Sequence, residues 1–126
     1  MITWDAIEAA EHRIKPFIHT TPVLTSAFLD ELSGVQLFFK CENFQKTGSF
    51  KVRGATNSVL QLSADEKQRG VATHSSGNHG QALAWAAREA GVQAWIVMPS
   101  NAPQVKKNAV QAYGATVVEC EPTLQA

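Results

Sequence analysis

Residues 71–120, VATHSSGNHGQALAWAAREAGVQAWIVMPSNAPQVKKNAVQAYGATVVEC, decide the fold class of this 126-residue chain. Three apolar runs, Val71–Thr73, Val92–Met98 and Ala115–Cys120, show little alternation, which is typical of strands covered on both faces of a parallel sheet. Helical patterns lie between them at Gln81–Ala90 and Pro103–Tyr113, and each stops at a glycine. The order β-α-β-α-β, with crossovers of this length, predicts an α/β fold with an open parallel sheet.

The sequence predicts the start of the second helix and the elements of the first half of the chain less clearly. Ser100 or Asn101 is expected to cap the second helix. Trp4, Ile7 and Ile14 form one stripe of an earlier helix, with Thr3 or Asp5 near its start. The remaining expected elements are a helix end at Pro16, a strand at Leu37–Phe39, a loop at Lys46–Phe50 and a helix from Lys51 to Leu62.

Three parallel strands and one separate strand make an incomplete domain. Such a sheet has an uncovered edge, and its faces need more helices than 126 residues supply. We therefore expect this sequence to form part of a larger fold.

The composition excludes several classes of function. Eleven basic residues balance eleven acidic ones, and no Lys/Arg run exceeds two residues, so binding to nucleic acid or to a membrane surface is not indicated. No apolar stretch approaches the roughly 18 residues of a membrane-spanning helix. Cys41 and Cys120 form no CxxC pair, and the four histidines lack metal-ligand spacing, so no metal site is expected. We expect a cytoplasmic protein.

The segment Ser75-Ser76-Gly77-Asn78-His79-Gly80 joins a strand to a helix and is the first candidate site. It lacks the GxGxxG fingerprint, and no acidic residue ends the next strand, so a dinucleotide site is excluded. Small residues before a helix can aim free backbone N–H groups at an anion, such as a carboxylate or a phosphate. A plain connection with a serine cap is the alternative.

Lys51 is the second candidate. It lies between Gly48 and Gly54, follows Phe50, and is expected at the start of a helix. A helix N-terminus disfavours a protonated ammonium, and an aromatic neighbour excludes water, so both favour the neutral amine that Schiff-base chemistry needs. A solvated surface lysine is the alternative.

Both candidates lie in segments that resemble one enzyme family. Phe39–Ala55, FKCENFQKTGSFKVRGA, resembles the lysine segment of the pyridoxal-phosphate-dependent serine/threonine dehydratases, which have the tryptophan-synthase-β fold (fold type II). Ser75–Ala84, SSGNHGQALA, resembles that family's asparagine loop, and His19–Leu24 and Gln111–Ala115 also match. Within the family the sequence is most similar to the serine racemase branch.

The resemblance implies roles for Phe50, Lys51 and Asn78. Lys51 would carry pyridoxal phosphate as a Schiff base and would also move the substrate's α-proton. Phe50 would pack against the cofactor ring, and Asn78 would donate a hydrogen bond to the 3′-oxygen of the cofactor.

The resemblance also implies that Ser75, Ser76, Gly77, Asn78 and His79 hold the α-carboxylate of a small amino acid. Ser76 would be a second catalytic group, on the face opposite Lys51, where many dehydratases have alanine. Racemisation needs a proton-transferring group on each face, whereas β-elimination needs one.

Regulation and assembly follow from the same resemblance. It implies Mg²⁺, a nucleotide effector bound at positions matching Ser26, Lys46 and Thr47, and a homodimer; Ala27 replaces a serine that is usual at the effector site. The family's phosphate cradle, ring-nitrogen partner and cation-binding carboxylates lie further along its chains. We therefore expect these 126 residues alone to bind pyridoxal phosphate weakly and to turn over no substrate.

The expected function is that of a serine/threonine dehydratase (ammonia-lyase) or a serine racemase acting on L-serine or L-threonine. Residues 1–70 would begin the large cofactor domain, and residues 71–126 would begin a small βαβαβ domain. Two alternatives remain open: a truncated non-catalytic relative that acts as a binding or interaction module, and another fold-type II enzyme such as a cysteine synthase.

Overall fold

A computed structural model describes residues 1–123 of the chain. In chain order the helices and strands are α1 (Trp4–Ile14), β1 (Val23–Leu24), α2 (Ala27–Ser33), β2 (Phe39–Lys40), two 3₁₀ turns (Glu42–Phe44 and Lys46–Gly48), α3 (Lys51–Leu60), α4 (Ala64–Arg69), β3 (Val71–His74), α5 (Asn78–Glu89), β4 (Ala94–Pro99), α6 (Gln104–Ala112) and β5 (Thr116–Cys120).

The second half of the chain forms a parallel sheet with strand order β3-β4-β5. Val71 pairs with Ala94, and Trp95 pairs with Thr116, which sets the register on each side of β4. Helices α5 and α6 connect successive strands and pack against each other on one face of the sheet. The predicted α/β fold with a parallel sheet is confirmed.

The hydrophobic core lies around α5, which packs between α3 and the sheet. Residues Ala82–Ala87 of α5, a run of alanines with one leucine and one tryptophan, are all buried, so the middle of this helix is covered on every side. Val52 and Val59 of α3 reach α5 from one side, and Ile96 and Met98 of β4 reach it from the other. Because alanine leaves little side-chain bulk, both neighbours approach the α5 backbone closely, and α3 is fixed relative to the sheet.

The other face of the sheet, which we call the open face, has no helix packed on it within residues 1–123. It carries the side chains that alternate with the buried ones: Ala72, His74, Trp95, Val97, Pro99, Thr116, Val118 and Cys120. The apolar strand runs predict coverage on both faces, so the described residues supply only one of the two expected layers.

The first half contains a short antiparallel pair, β1 with β2, and four α-helices, α1 to α4, whose ends agree only partly with expectation. The side chain of Thr3 caps α1, as one of the two options predicted. The helix expected at the apolar stripe of Trp4, Ile7 and Ile14 is present as α1, and of this stripe Ile14 is buried whereas Trp4 is 69% exposed.

Several expected boundaries are corrected by the structure. Helix α5 begins at Asn78, three residues earlier than expected, and α3 ends at Leu60 instead of Leu62. Neither Ser100 nor Asn101 caps α6; Pro103 precedes its first residue, and no side chain accepts a bond from its first turn. The proline ring fixes φ for helix entry without a side-chain cap.

No helix among residues 1–123 is both long enough and apolar enough to span a bilayer.

Candidate functional site

Lys51 is the first residue of α3 and is exposed. The loop that leads to it turns sharply, since Thr47 and Gly48 both adopt positive φ, at 60° and 70°. Its ammonium lies 5.0 Å from the ring centroid of Phe50, which is also exposed. The loop and the helix start predicted at this lysine are therefore present, and the amine is open to a ligand.

The Ser75–Gly80 segment forms a tight turn that is organised by Ser75. The hydroxyl oxygen of Ser75 accepts hydrogen bonds from the N–H groups of Gly77, at 3.3 Å, and Gly80, at 3.0 Å. The N–H groups of Asn78 and His79 have no acceptor within residues 1–123. Because these two groups begin a helix and lie in an exposed turn, they can bind a carboxylate.

Lys106 of α6 adds a positive charge to this turn. Its ammonium lies 3.8 Å from the position that a β-carbon on Gly77 would occupy. No carboxylate among the described residues forms an ion pair with it. Sequence reasoning missed Lys106, because nothing local indicates that α6 folds back to the turn before α5.

The packing of α3 on α5 brings the two candidate segments to one cavity. This cavity has a volume of about 330 Å³ and is lined by Phe50, Lys51, Arg53, Gly54, Ala55 and His79. Lys51 and His79, which are far apart in sequence, therefore face the same space. Ser75, Ser76, Gly77 and Asn78 belong to the adjoining turn and do not line the cavity.

Arg53 forms an ion pair with Glu42 beside this cavity. Its Nε and Nη2 donate to the two carboxylate oxygens of Glu42 at 2.8 and 2.7 Å, and the hydroxyl of Thr21 donates to the same carboxylate at 2.6 Å. The hydrogen bonds from Arg53, more than the other contacts, lower the pKa of Glu42 to about 2 against the opposing effect of burial. The bond to Glu42 in turn raises the pKa of Arg53.

Gln45 anchors the loop before Lys51. Its side chain is 4% exposed and pairs with the backbone of His19, accepting from the N–H at 2.9 Å and donating to the C=O at 2.8 Å. Sequence reasoning did not single out Gln45, Glu42 or Arg53. The only signal was their position inside the segment that carries Lys51, since their partners lie more than ten residues away in the sequence.

The three positions matched to an effector site have local roles in the structure. Ser26 caps α2 by accepting from the N–H of Leu29, and the ammonium of Lys46 lies 5.7 Å from the ring centroid of Trp85. Thr47 holds the left-handed conformation noted above. No three metal-binding side chains cluster among residues 1–123.

Comparison with known proteins identifies the family. The family described as "Pyridoxal-phosphate dependent enzyme" matches residues 14–126. The chain belongs to this family. It is 53% identical over 125 residues to a serine racemase from Dictyostelium discoideum, which covers 99% of this chain and 39% of the relative, and 54% identical to a beta-hydroxyaspartate dehydratase from Paracoccus denitrificans over 96% of this chain and 38% of the relative.

Solved structures of family members have the same fold. The crystal structure of the Dictyostelium discoideum serine racemase superposes with a TM-score of 0.94, at 53% identity, over 99% of this chain and 41% of that one. A threonine deaminase from T.th. superposes with a TM-score of 0.87, at 46% identity, over 98% of this chain and 39% of that one. The chain thus spans about 40% of the length of these relatives and corresponds to the N-terminal portion of their fold.

Pyridoxal phosphate is the cofactor of this family, and the cavity residues fit its aldehyde and ring. An aldehyde condenses with a primary amine, and Lys51 supplies an exposed amine at the cavity wall. Phe50, Gly54 and Ala55 give that wall the apolar surface that an aromatic ring requires. The amine of Lys51 and the apolar wall beside it therefore suit the aldehyde and the ring of the cofactor.

Proposed function

We propose that the protein is a pyridoxal-phosphate-dependent serine racemase or serine/threonine dehydratase that acts on a small amino acid such as L-serine or L-threonine. The observation that carries the proposal is the shared cavity of Lys51 and His79, beside a turn with free N–H groups. This arrangement combines an amine for an aldehyde cofactor with an anion site for a substrate carboxylate. The names and identities of the relatives support the same reaction class.

Each residue of the site has a distinct task in this proposal. Lys51 Nζ would bond the aldehyde carbon of the cofactor until the amino group of the substrate replaced it there, and the amine released in this way would take up the α-proton of the substrate. Phe50 would cover the ring of the cofactor, and Asn78 would donate a hydrogen bond to its 3′-oxygen. The cofactor, when bound, supplies an electron sink for the pair left by that proton.

The substrate carboxylate is held by the turn. The N–H groups of Asn78 and His79 point their dipole at it, and Lys106 adds a full positive charge nearby. Ser75 shapes the turn through its two accepted bonds, and Gly77 keeps the approach free of a side chain. His79 lies where the cavity meets the turn.

Ser76 is proposed as the second proton-transferring group, on the side of the substrate opposite Lys51. Its side chain is exposed at the turn. With both groups present the α-carbon can be reprotonated with inversion, whereas loss of the β-hydroxyl after deprotonation needs Lys51 alone.

The proposal extends to organisation and location. A division between a large and a small domain near residue 70, a homodimer, and Mg²⁺ and nucleotide effectors are proposed by analogy with the family. A cytoplasmic location is proposed because Cys41 and Cys120 are both free thiols, as is usual in a reducing compartment.

The decisive test is to identify the lysine that holds the cofactor. The complete enzyme is incubated with pyridoxal phosphate, reduced with borohydride, digested and mapped by mass spectrometry. The pyridoxyl group is expected on Lys51, and the Lys51→Arg variant is expected to lose it. Label on Lys40 or Lys46 in place of Lys51 contradicts the assignment.

A separate test addresses Ser76. In the complete enzyme, the Ser76→Ala variant is expected to lose racemisation by about 10²–10⁴-fold, as for the loss of a positioned acid–base group, while elimination from L-serine largely persists. The ratio of D-serine to pyruvate formed from L-serine measures the effect. Equal loss of both products would instead indicate a structural or carboxylate-binding role.

A further inference from the structure

Lys51 lies between two anchored points of the chain. Gln45, six residues before it, is tied to the backbone of His19. Arg53, two residues after it, is tied to Glu42 by a two-pronged ion pair. Between these points the loop has two residues at positive φ, and no side chain caps α3, so no cap at the helix start fixes the direction of Lys51.

The direction of the first turn of α3 is set by the two residues that follow Lys51. Val52 is fully buried against α5, and Arg53 is held outward by Glu42. Successive residues of an α-helix are about 100° apart around its axis. Because Val52 and Arg53 are both held, the direction in which Lys51 leaves the helix is also fixed. This direction is toward the cavity that Lys51 shares with Arg53 and His79.

Glu42 is well placed to exert this control. Its side chain is 18% exposed and that of Arg53 is 32% exposed, so the pair is partly shielded from water. Two parallel hydrogen bonds from an arginine to a carboxylate fix both the distance between the two groups and the plane in which they lie. A single contact from an ammonium group does not fix the plane. The hydroxyl of Thr21 donates to the carboxylate oxygen that Nη2 of Arg53 also bonds, which further fixes the carboxylate.

We infer that Glu42 is a positioning residue for Lys51: through its paired bonds to Arg53 it orients the first turn of α3 so that the lysine amine faces the cavity. The inference rests on the proposed function, because it assumes that Lys51 is the residue that bonds the cofactor. Glu42 itself touches neither cofactor nor substrate in this scheme. Removal of the Glu42 carboxylate leaves the Lys51 amine in the chain, but the amine is then no longer directed toward the cavity.

The test measures how fast and how selectively pyridoxal phosphate reacts at Lys51. Wild-type protein and the Glu42→Gln variant are incubated with pyridoxal phosphate for increasing times, reduced with borohydride and mapped. A displacement of about 1 Å can cost up to about 10²-fold in rate, so we expect labelling of Lys51 to slow by about tenfold in Glu42→Gln. Labelling of Lys67, which lies on α4 and has no contact with this ion pair, should not slow.

A matched control separates positioning from general loss of stability. Glu119→Gln breaks an ion pair with Lys107 of similar length, 2.6 Å against 2.7 Å, on β5 and α6, away from the cavity. Glu119→Gln is expected to label Lys51 at the wild-type rate even where its unfolding midpoint falls. Circular dichroism confirms that each variant is folded at the labelling temperature.

The outcomes are distinct. If the folded Glu42→Gln variant labels Lys51 at the wild-type rate, or if Glu119→Gln slows it equally, the inference is overturned while the proposed function stands. If wild-type protein is not labelled on Lys51, the proposed function fails first. If Glu42→Gln does not fold, Arg53→Lys, which keeps the charge but loses the paired geometry, decides the question: slowed labelling supports the inference and an unchanged rate overturns it.

Discussion

At the scale of single residues, the Glu42–Arg53 pair links the stability of the fold to pH. The pKa of Glu42 is about 2 in the folded chain, against an ordinary value of 4.5. Between these two values the unfolded chain binds more protons, so stability must rise with pH across this range. The shift corresponds to no more than about 3 kcal/mol, which is fully present above pH 4.5 and lost as the pH falls toward 2.

We therefore expect Glu42→Gln to destabilise the chain by up to about 3 kcal/mol at pH 7, with the difference from wild type shrinking as the pH falls from 4.5 to 2. Urea unfolding at a series of pH values measures this difference. Glu11→Gln is the control, because its pair with Lys15 is solvent-exposed and should contribute less than about 1 kcal/mol. A Glu42→Gln difference that stays constant over this range would contradict the prediction.

At the scale of secondary-structure elements, the contact between α5 and β4 depends on Gly80. A β-carbon added there would lie 2.8 Å from Cγ2 of Ile96 and 3.2 Å from the carbonyl oxygen of Ser75. Ile96 is fully buried in β4 and cannot move aside, so the start of α5 would have to shift. This shift would also disturb the turn that supplies the N–H groups of Asn78 and His79.

We expect Gly80→Ala to destabilise the chain by about 1–3 kcal/mol, the usual range for overpacking. Gly54→Ala is the matched control, since a β-carbon there meets no atom within 4 Å and alanine favours the helix by about 0.5–1 kcal/mol. Urea unfolding midpoints at a common m-value provide the comparison. Equal changes in the free energy of unfolding for the two variants would contradict the prediction, because they would show that the close approach of Gly80 to Ile96 does not affect stability.

The elements differ in how well they could be predicted from sequence. The parallel strands and α5 were predictable because apolar runs and an alanine-rich pattern depend on local composition. Strands β1 and β2 were not predicted as a pair, because each has only two residues and their pairing is long-range. Helix α4 carries a capping box between Ser63 and Glu66 but buries no residue, so no apolar stripe marked it.

The residues of the candidate site also differ in how well they could be predicted from sequence. Lys51 and the Ser75–Gly80 turn were found because glycines and small residues mark them locally. The ion pair of Glu42 with Arg53 and the approach of Lys106 to Gly77 depend on how helices pack, which single residues do not reveal. The shared cavity of Lys51 and His79 likewise results from α3 packing on α5.

At the scale of the whole molecule, the open face matters because no helix covers it within residues 1–123. Trp95 and Val118 are exposed on it, and β5 is an edge strand. An uncovered apolar face beside an unpaired edge favours association between copies. A lysine placed on this face should oppose that association, because it would have to lose its hydration there.

We expect the sedimentation coefficient of the 126-residue chain to rise with concentration, and Val118→Lys to reduce that rise. Val118 is 42% exposed on the open face, whereas Val105, at 72%, lies on α6. Val105→Lys is therefore the control that adds the same charge elsewhere and should behave like wild type. The prediction is contradicted if both variants associate as the wild type does.

The position of β4 between β3 and β5 also determines how the molecule exchanges its amide protons with water. Its backbone is hydrogen-bonded on both sides, and Ile96 and Met98 are fully buried beneath α5. Local fraying can release the first turn of a helix or a two-residue strand, but it cannot free β4 while both neighbouring strands remain in place. Deuterium should therefore enter β4 only through global opening, which makes its exchange rate a direct reading of the stability of the whole chain.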